Sequence, residues 1–115
     1  LEFRRVLFRS IISGQIDCLF QTTDGQWKIV DYKTGRASLK KPESIVEEYG
    51  LQLALYAFAV RELMGQFPGS VEIAILHDEV LRVPMIFDES TLHEFEQRID
   101  AAITQLSLRA DPPLT

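Results

Sequence analysis

The chain has little cysteine and no long apolar stretch, and each shortage excludes a class of protein. Cys18 is the single cysteine among 115 residues, so an intramolecular disulfide framework is excluded. A cysteine-bound zinc ion or iron–sulfur cluster within these residues is excluded for the same reason. No apolar run approaches the roughly 20 residues of a membrane span, and no secretory signal is visible. We therefore expect a cytoplasmic protein without a membrane segment.

Positive charge is also scarce, because 12 basic residues face 17 acidic ones and the net charge is −5. A broad basic face that binds duplex DNA regardless of sequence is not expected from this balance. A small site in which carboxylates hold a metal ion that contacts phosphate stays open. A hydrophobic content of 46% and a charged content of 25% are typical of one globular domain.

The first ten residues, Leu-Glu-Phe-Arg-Arg-Val-Leu-Phe-Arg-Ser, resemble the in-frame translation of a common sequencing adapter. We therefore expect residues 1–10 to be non-native and exclude them from functional reasoning, the alternative being a natural basic strand. They carry three arginines and one glutamate, so the remainder has a net charge of −7. Residues 11–115 are then a partial domain.

The remainder predicts the element order ββαββα, which is an α+β or α/β arrangement of a sheet and helices. β-branched and aromatic residues favour strands over 11–20 and 27–32, which form a hairpin, and over 71–76 and 81–87. Apolar positions at helical spacing predict a helix over about 43–64. A last helix begins after a cap at Asp88 or Ser90 and ends before Pro112.

The hairpin carries three charged residues in strands that are otherwise apolar: Asp17, Asp31 and Lys33. Charges in such runs are costly unless they are paired or bound to a metal. Asp31 and Lys33 are two residues apart and therefore share one face of the sheet. A two-residue loop, Asp24-Gly25, would place Asp17 on the other face. A three-residue loop, 23–25, with a left-handed Gly25 places Asp17 opposite Asp31, and we predict this loop.

Two nearby carboxylates repel each other, and a divalent metal removes the conflict. Magnesium accepts a few carboxylate oxygens together with waters and substrate phosphate. A metal on Asp17 and Asp31, with the Tyr32 carbonyl, would polarise a phosphodiester, and Lys33 would offset charge that develops on phosphorus. From the residues alone, an ion pair of Lys33 with either aspartate is an equally good interpretation, because Asp-x-Lys is a short pattern.

Three motifs in order resemble the RecB-type branch of the PD-(D/E)xK nucleases, in particular the nuclease domain of AddA-type helicase–nucleases. The motifs are Gly14-x-Ile16-Asp17, Val30-Asp31-Tyr32-Lys33-Thr34-Gly35 and Gln52-x-x-x-Tyr56. The resemblance covers roughly residues 11–64 by motif. It is more specific than Asp-x-Lys, because three motifs follow one another at suitable spacing.

The resemblance implies a restriction-endonuclease-like core, a mixed sheet flanked by helices. It implies that Asp17 and Asp31 bind the metal, that Lys33 is the catalytic lysine, and that Gln52 and Tyr56 orient the site or the DNA strand. It further implies a DNA exonuclease that uses magnesium, with manganese as the alternative, in an ATP-dependent helicase–nuclease that processes double-strand breaks. Its partners would be single-stranded DNA, an upstream helicase motor and a second helicase–nuclease subunit.

Two departures from the family limit what the resemblance implies for this chain. The family has a helix with a further ligand before the hairpin, and we expect that N-terminal helix to be missing here, which would leave the fragment poorly active. Some relatives carry a four-cysteine iron–sulfur cluster, which this segment lacks. The alternatives are a non-catalytic scaffold or DNA-binding domain with the same fold, and a free-standing RecB-like exonuclease.

The remaining polar residues are assigned no role in the site. His77 and His93 have no metal-ligand partner at fixed spacing, so we interpret them as ordinary surface histidines. Arg36, Lys40 and Lys41 form a local cluster of cations after the second strand. This cluster is either a solvated loop or a contact for the DNA backbone.

Overall fold

The computed structural model describes residues 2–34, 41–76 and 79–109. Their helices and strands, in chain order, are α1 (Glu2–Gly14), β1 (Cys18–Gln21), β2 (Trp27–Lys33), α2 (Pro42–Met64), β3 (Ser70–Leu76), β4 (Val80–Pro84) and α3 (Glu89–Arg109). From β2 onward, this order confirms the predicted strand, helix, strand, strand, helix succession. No helix among these residues is long and apolar enough to cross a membrane.

The four strands form one mixed sheet in the order β1-β2-β3-β4. The outer pairs, β1 with β2 and β3 with β4, are antiparallel, and the central pair of β2 and β3 is parallel. Parallel neighbours need a crossover connection, and α2 supplies it. The inner face of the sheet, defined by Ile29, Val71, Ile73, Ile75 and Val83, belongs to a single core that α1, α2 and α3 complete. The expectation of an α+β fold with a mixed sheet flanked by helices is confirmed.

Helix α2 is the central element of the core. It begins at Pro42, whose fixed φ suits the first helical turn, and it ends at Gly65 in the left-handed conformation. The N–H of Gly65 donates to the carbonyl of Arg61 and so satisfies one of the last carbonyls of the helix. Its middle turns are buried on several sides, because α1 and α3 pack on it and its side chains share one core with those of the sheet. This explains why small residues such as Ala54 and Ala57 accompany the larger apolar residues of the helix.

Residues 11–14 lie in helix α1, so the predicted strand over 11–20 was wrong in its first half, and β1 begins only at Cys18. The expected absence of a helix before the hairpin was wrong too. Leu7, Phe8 and Ile11 follow helical spacing, and Phe8 is completely buried in the core. The helical spacing of apolar residues continues from residues 1–10 into residues 11–14. Because residues 1–10 were set aside, residues 11–14 on their own resembled part of a strand. The adapter origin of residues 1–10 stays a prediction.

The turn of the hairpin confirms the three-residue loop. The N–H of Thr22 donates to the carbonyl of Gln26 at 2.8 Å, which closes a loop of residues 23–25. Gly25 has a φ of +87°, the left-handed conformation that this loop requires and glycine tolerates. The strands then pair in the register Cys18 opposite Val30, and one further step places Asp17 opposite Asp31.

The second hairpin and the last helix differ only slightly from prediction. Strand β4 ends at Pro84, so 85–87 are not part of it. Of the two predicted caps of α3, Asp88 is the one the structure uses, since its Oδ1 accepts the N–H of Thr91 at 2.7 Å. This hydrogen bond lowers the pKa of the Asp88 carboxyl.

Candidate active site

The candidate site lies where the end of β2 meets the helix that follows it. Asp31 and Lys33 are on the inner face of the sheet, as their spacing predicted. On α2, Tyr49, Gln52 and Tyr56 are separated by three and four residues and therefore lie along one side of the helix. The two elements are consecutive in the chain, and the parallel crossover packs this side of α2 against the end of β2.

Asp31 is a charged side chain in the core, with only 3% of its surface exposed. Its Oδ2 lies 2.9 Å from the Lys33 ammonium. That contact lacks hydrogen-bond geometry, so Oδ2 has no hydrogen-bond donor among the described residues. Burial raises the pKa of the Asp31 carboxyl; Lys33 opposes this rise and Asp17 adds to it. The buried carboxylate is thus incompletely satisfied within the described part of the protein.

Asp17 lies immediately before β1, beside Asp31 of β2. Its Oδ2 accepts the backbone N–H of Tyr32 at 3.0 Å, which ties it to the end of β2. Its negative charge is close enough to Asp31 to raise the pKa of that carboxyl. The side chains of the two aspartates therefore converge, as the three-residue loop predicted. Their role as metal ligands stays a prediction.

Gln52 and Tyr56 form a hydrogen-bonded pair on α2. The Nε2 group of Gln52 donates to the Tyr56 hydroxyl oxygen at 2.9 Å. Tyr56 is 4% exposed, and burial raises the pKa of its phenol, to which the negative charge of Asp31 contributes. The hydroxyl of Tyr56 therefore lies within electrostatic reach of Asp31. Gln52 is exposed, and its hydrogen bond restrains the position of this hydroxyl.

Lys33 is held on two sides. Besides Asp31, its ammonium lies 4.4 Å from the centroid of the Tyr49 ring. Desolvation alone would lower the pKa of Lys33, but the neighbouring carboxylate of Asp31 outweighs it, and the pKa is raised overall. The lysine is therefore a cation at neutral pH. Tyr49 was not among the candidate residues predicted from the sequence, although its spacing of three residues before Gln52 indicates that it lies on the same side of the helix.

The residues present fit a divalent cation that takes few protein ligands. The buried Asp31 Oδ2 has an unused acceptor position, and Asp17 brings a second carboxylate to it. Within the described ranges, no group of three or more His, Cys, Asp or Glu side chains is placed to hold a metal. Two carboxylates suit magnesium, which retains waters and substrate phosphate, better than a metal enclosed by protein. The side chain of Tyr32 is exposed, so its predicted contribution rests on its main-chain carbonyl alone.

Several residues singled out from the sequence are not part of this cluster. Gly35 of the second motif, Arg36, Lys40 and His77 lie outside the described residues. Lys41 is exposed immediately before α2, and His93 is exposed on α3. Neither Lys41 nor His93 is among the residues that contact Asp17 or Asp31 in the described part of the chain.

Comparison with known proteins supports the motif-based resemblance. The family model of the PD-(D/E)XK nuclease superfamily matches residues 1–113. An ATP-dependent helicase/nuclease subunit of Pelotomaculum thermopropionicum is 41% identical over 56 residues, which cover 49% of this chain and 4% of that protein. The protein of the same name from Lysinibacillus sphaericus is 35% identical over 74 residues, covering 59% and 6%. The chain thus spans a small part of the curated relatives it matches. No solved structure matches it.

Proposed function

Because the chain belongs to the PD-(D/E)XK nuclease superfamily, we propose that it hydrolyses DNA phosphodiester bonds with a divalent metal, magnesium or alternatively manganese. The observation that carries this proposal is the buried, incompletely satisfied Asp31 carboxylate, which meets Asp17 and Lys33 at the end of β2. A merely structural ion pair would not need a second carboxylate beside the first.

Asp17 and Asp31 would hold the metal, together with the Tyr32 carbonyl. When bound, the metal supplies Lewis-acid activation of the phosphodiester and of water. It would also relieve the repulsion between the carboxylates, which contributes to the raised pKa of Asp31.

Lys33 would supply a positive charge that stabilises the negative charge developing on the phosphate during hydrolysis. Its ammonium is a cation with three N–H donors, of which one side faces Asp31. A remaining donor can orient a water or bind a phosphate oxygen as negative charge increases there. Gln52 and Tyr56 would complete the site, since their hydrogen bond fixes the Tyr56 hydroxyl on the side of α2 that faces Asp31.

We further propose the setting of an ATP-dependent helicase–nuclease in which this chain is the nuclease domain. The similarity to two proteins named as ATP-dependent helicase/nuclease subunits supports it. A motor that delivers single-stranded DNA to the site explains why a domain with a net charge of −5 needs no basic face of its own. Exonuclease activity in double-strand-break repair, a cytoplasmic location and a second subunit follow from this setting.

Magnesium titration of the chain, followed by calorimetry, tests the metal site without requiring turnover. We expect binding in the original chain and its loss in Asp17→Asn and Asp31→Asn. Asp24→Asn is the matched control, because Asp24 lies at the opposite end of the same hairpin, is exposed and undergoes the same change of charge. Absence of magnesium and manganese binding would overturn the proposal and favour a non-catalytic scaffold.

Cleavage of an end-labelled single-stranded oligonucleotide tests the reaction itself. We expect cleavage that stops on addition of a chelator and falls about 10²–10³-fold in Lys33→Met. Because Lys33→Met leaves both aspartates in place, its metal binding should persist. Cleavage that survives loss of Asp31 or Lys33 would contradict the assignment of these residues.

A further inference from the structure

The Lys33 ammonium is enclosed by two groups of different chemistry. The carboxylate of Asp31 approaches it to 2.9 Å, and the centroid of the Tyr49 ring lies 4.4 Å away. The ring distance lies within the roughly 6 Å over which an aromatic face attracts a cation. The contact therefore orients the ammonium in addition to filling space.

We propose that Tyr49 is a positioning residue for Lys33, and that its aromatic face holds the ammonium where the reaction needs it. This inference rests on the proposed function. Lysine has a flexible four-carbon stem and a compact charge, so one contact leaves its ammonium mobile. A carboxylate and a ring on different sides restrict it far more.

The ring matters because the other contact is shared. The Oδ2 atom that approaches Lys33 is also the buried acceptor we assign to the metal. A metal would compete with the ammonium for the charge of this carboxylate. The Tyr49 ring binds no metal, so its attraction for the Lys33 ammonium would remain unchanged when a metal ion occupies the site.

The position of Tyr49 on α2 agrees with this role. It lies three residues before Gln52 and seven before Tyr56, on the side of the helix that faces the site. It is half-buried, whereas the core residues Ile45 and Leu53 of the same helix are completely buried. A leucine would fill similar space but would have no electron-rich face for the cation.

The direct test is the NMR signal of the Lys33 ε-methylene protons, which a nearby ring shifts upfield. We expect the shift in the original chain and in Tyr49→Phe, which keeps the ring, and its loss in Tyr49→Leu and Tyr49→Met. Two replacements of different shape guard against misfolding, and only variants with an unchanged melting transition are compared. Phe20→Leu is the control, because Phe20 is an exposed ring on the other face of the hairpin.

Kinetics provide the second readout. Tyr49→Leu should lower kcat about 3- to 30-fold, the range given by a cation–π contact, with the KM for DNA and magnesium affinity unchanged. Tyr49→Phe should restore kcat. A Lys33 shift that survives Tyr49→Leu overturns the inference, and so does an equal loss of kcat in Tyr49→Phe. If the original chain cleaves no DNA, the proposed function fails, whereas the NMR shift still decides where Tyr49 holds Lys33.

Discussion

Replacing Asp31 with asparagine should abolish DNA cleavage and at the same time stabilise the metal-free fold at neutral pH. Asp31 is buried, and its pKa is raised even though Lys33 stands beside it, so ionised Asp31 costs the folded state free energy. Asparagine removes that charge. Its amide can donate to Asp17, and its carbonyl oxygen can accept from Lys33.

A buried polar group without a full set of partners costs about 1–3 kcal/mol. The Lys33 ammonium loses its charged partner in Asp31→Asn, which offsets part of this, so the expected gain in the free energy of unfolding at pH 8 is about 1 kcal/mol. In a domain of this size each kcal/mol corresponds to about 5 °C in Tm. Urea denaturation in a chelating buffer measures it. Magnesium should then stabilise the original chain and leave Asp31→Asn unchanged, because the ligand is lost.

The gain should disappear on acidification, and its sign follows from the raised pKa of Asp31. Above the folded pKa the original chain bears the full penalty. As the pH falls through the folded pKa towards the ordinary value of 3.8, the folded state takes up a proton and the penalty is lost. Asp24→Asn is the control with the opposite sign, because its hydrogen bond from Thr22 lowers the pKa of Asp24. A metal-free Asp31→Asn less stable than the original chain at pH 8 would refute the reasoning.

Three further changes test the surrounding structure. Gly25→Val should destabilise the chain by about 1–2 kcal/mol, because Gly25 has a left-handed φ of +87° that valine adopts only at a cost. It should also weaken metal binding, because this turn sets the register that brings Asp17 to Asp31; urea denaturation and magnesium titration measure the two effects. Tyr56→Phe should lower cleavage while changing stability by about 1 kcal/mol, since it loses one hydrogen bond from Gln52, and unchanged kinetics would contradict its role. Phe8→Ala should cost about 3–5 kcal/mol by denaturation, because this side chain is completely buried; a negligible effect would show that α1 is dispensable for the core.

Local sequence patterns were sufficient to predict the second strand of the hairpin and the central helix. Turn chemistry at Asp24 and Gly25 is a local property that narrowed the register of the hairpin to two possibilities, and the structure has the three-residue loop that was predicted. The central helix was predicted over about 43–64 from its apolar period, and in the structure it begins at Pro42 and ends at Met64, before the left-handed Gly65. The motif around Asp31 and Lys33 was likewise readable, because residues two apart in a strand must share a face.

The surroundings of those residues depend on how separate elements pack together. The raised pKa of Asp31 depends on burial, and burial depends on how α2 packs over the sheet. The contact between Tyr49 and Lys33 joins residues on separate elements, which no local pattern places together. Helix α1 was missed because its helical period is visible only when residues 2–14 are considered together. Its contribution to the core, through the completely buried Phe8, depends on packing against other elements. Turn and strand conformations are set by residues that are neighbours in the chain. The distances between side chains on separate elements, and the burial of Asp31, are set by tertiary packing.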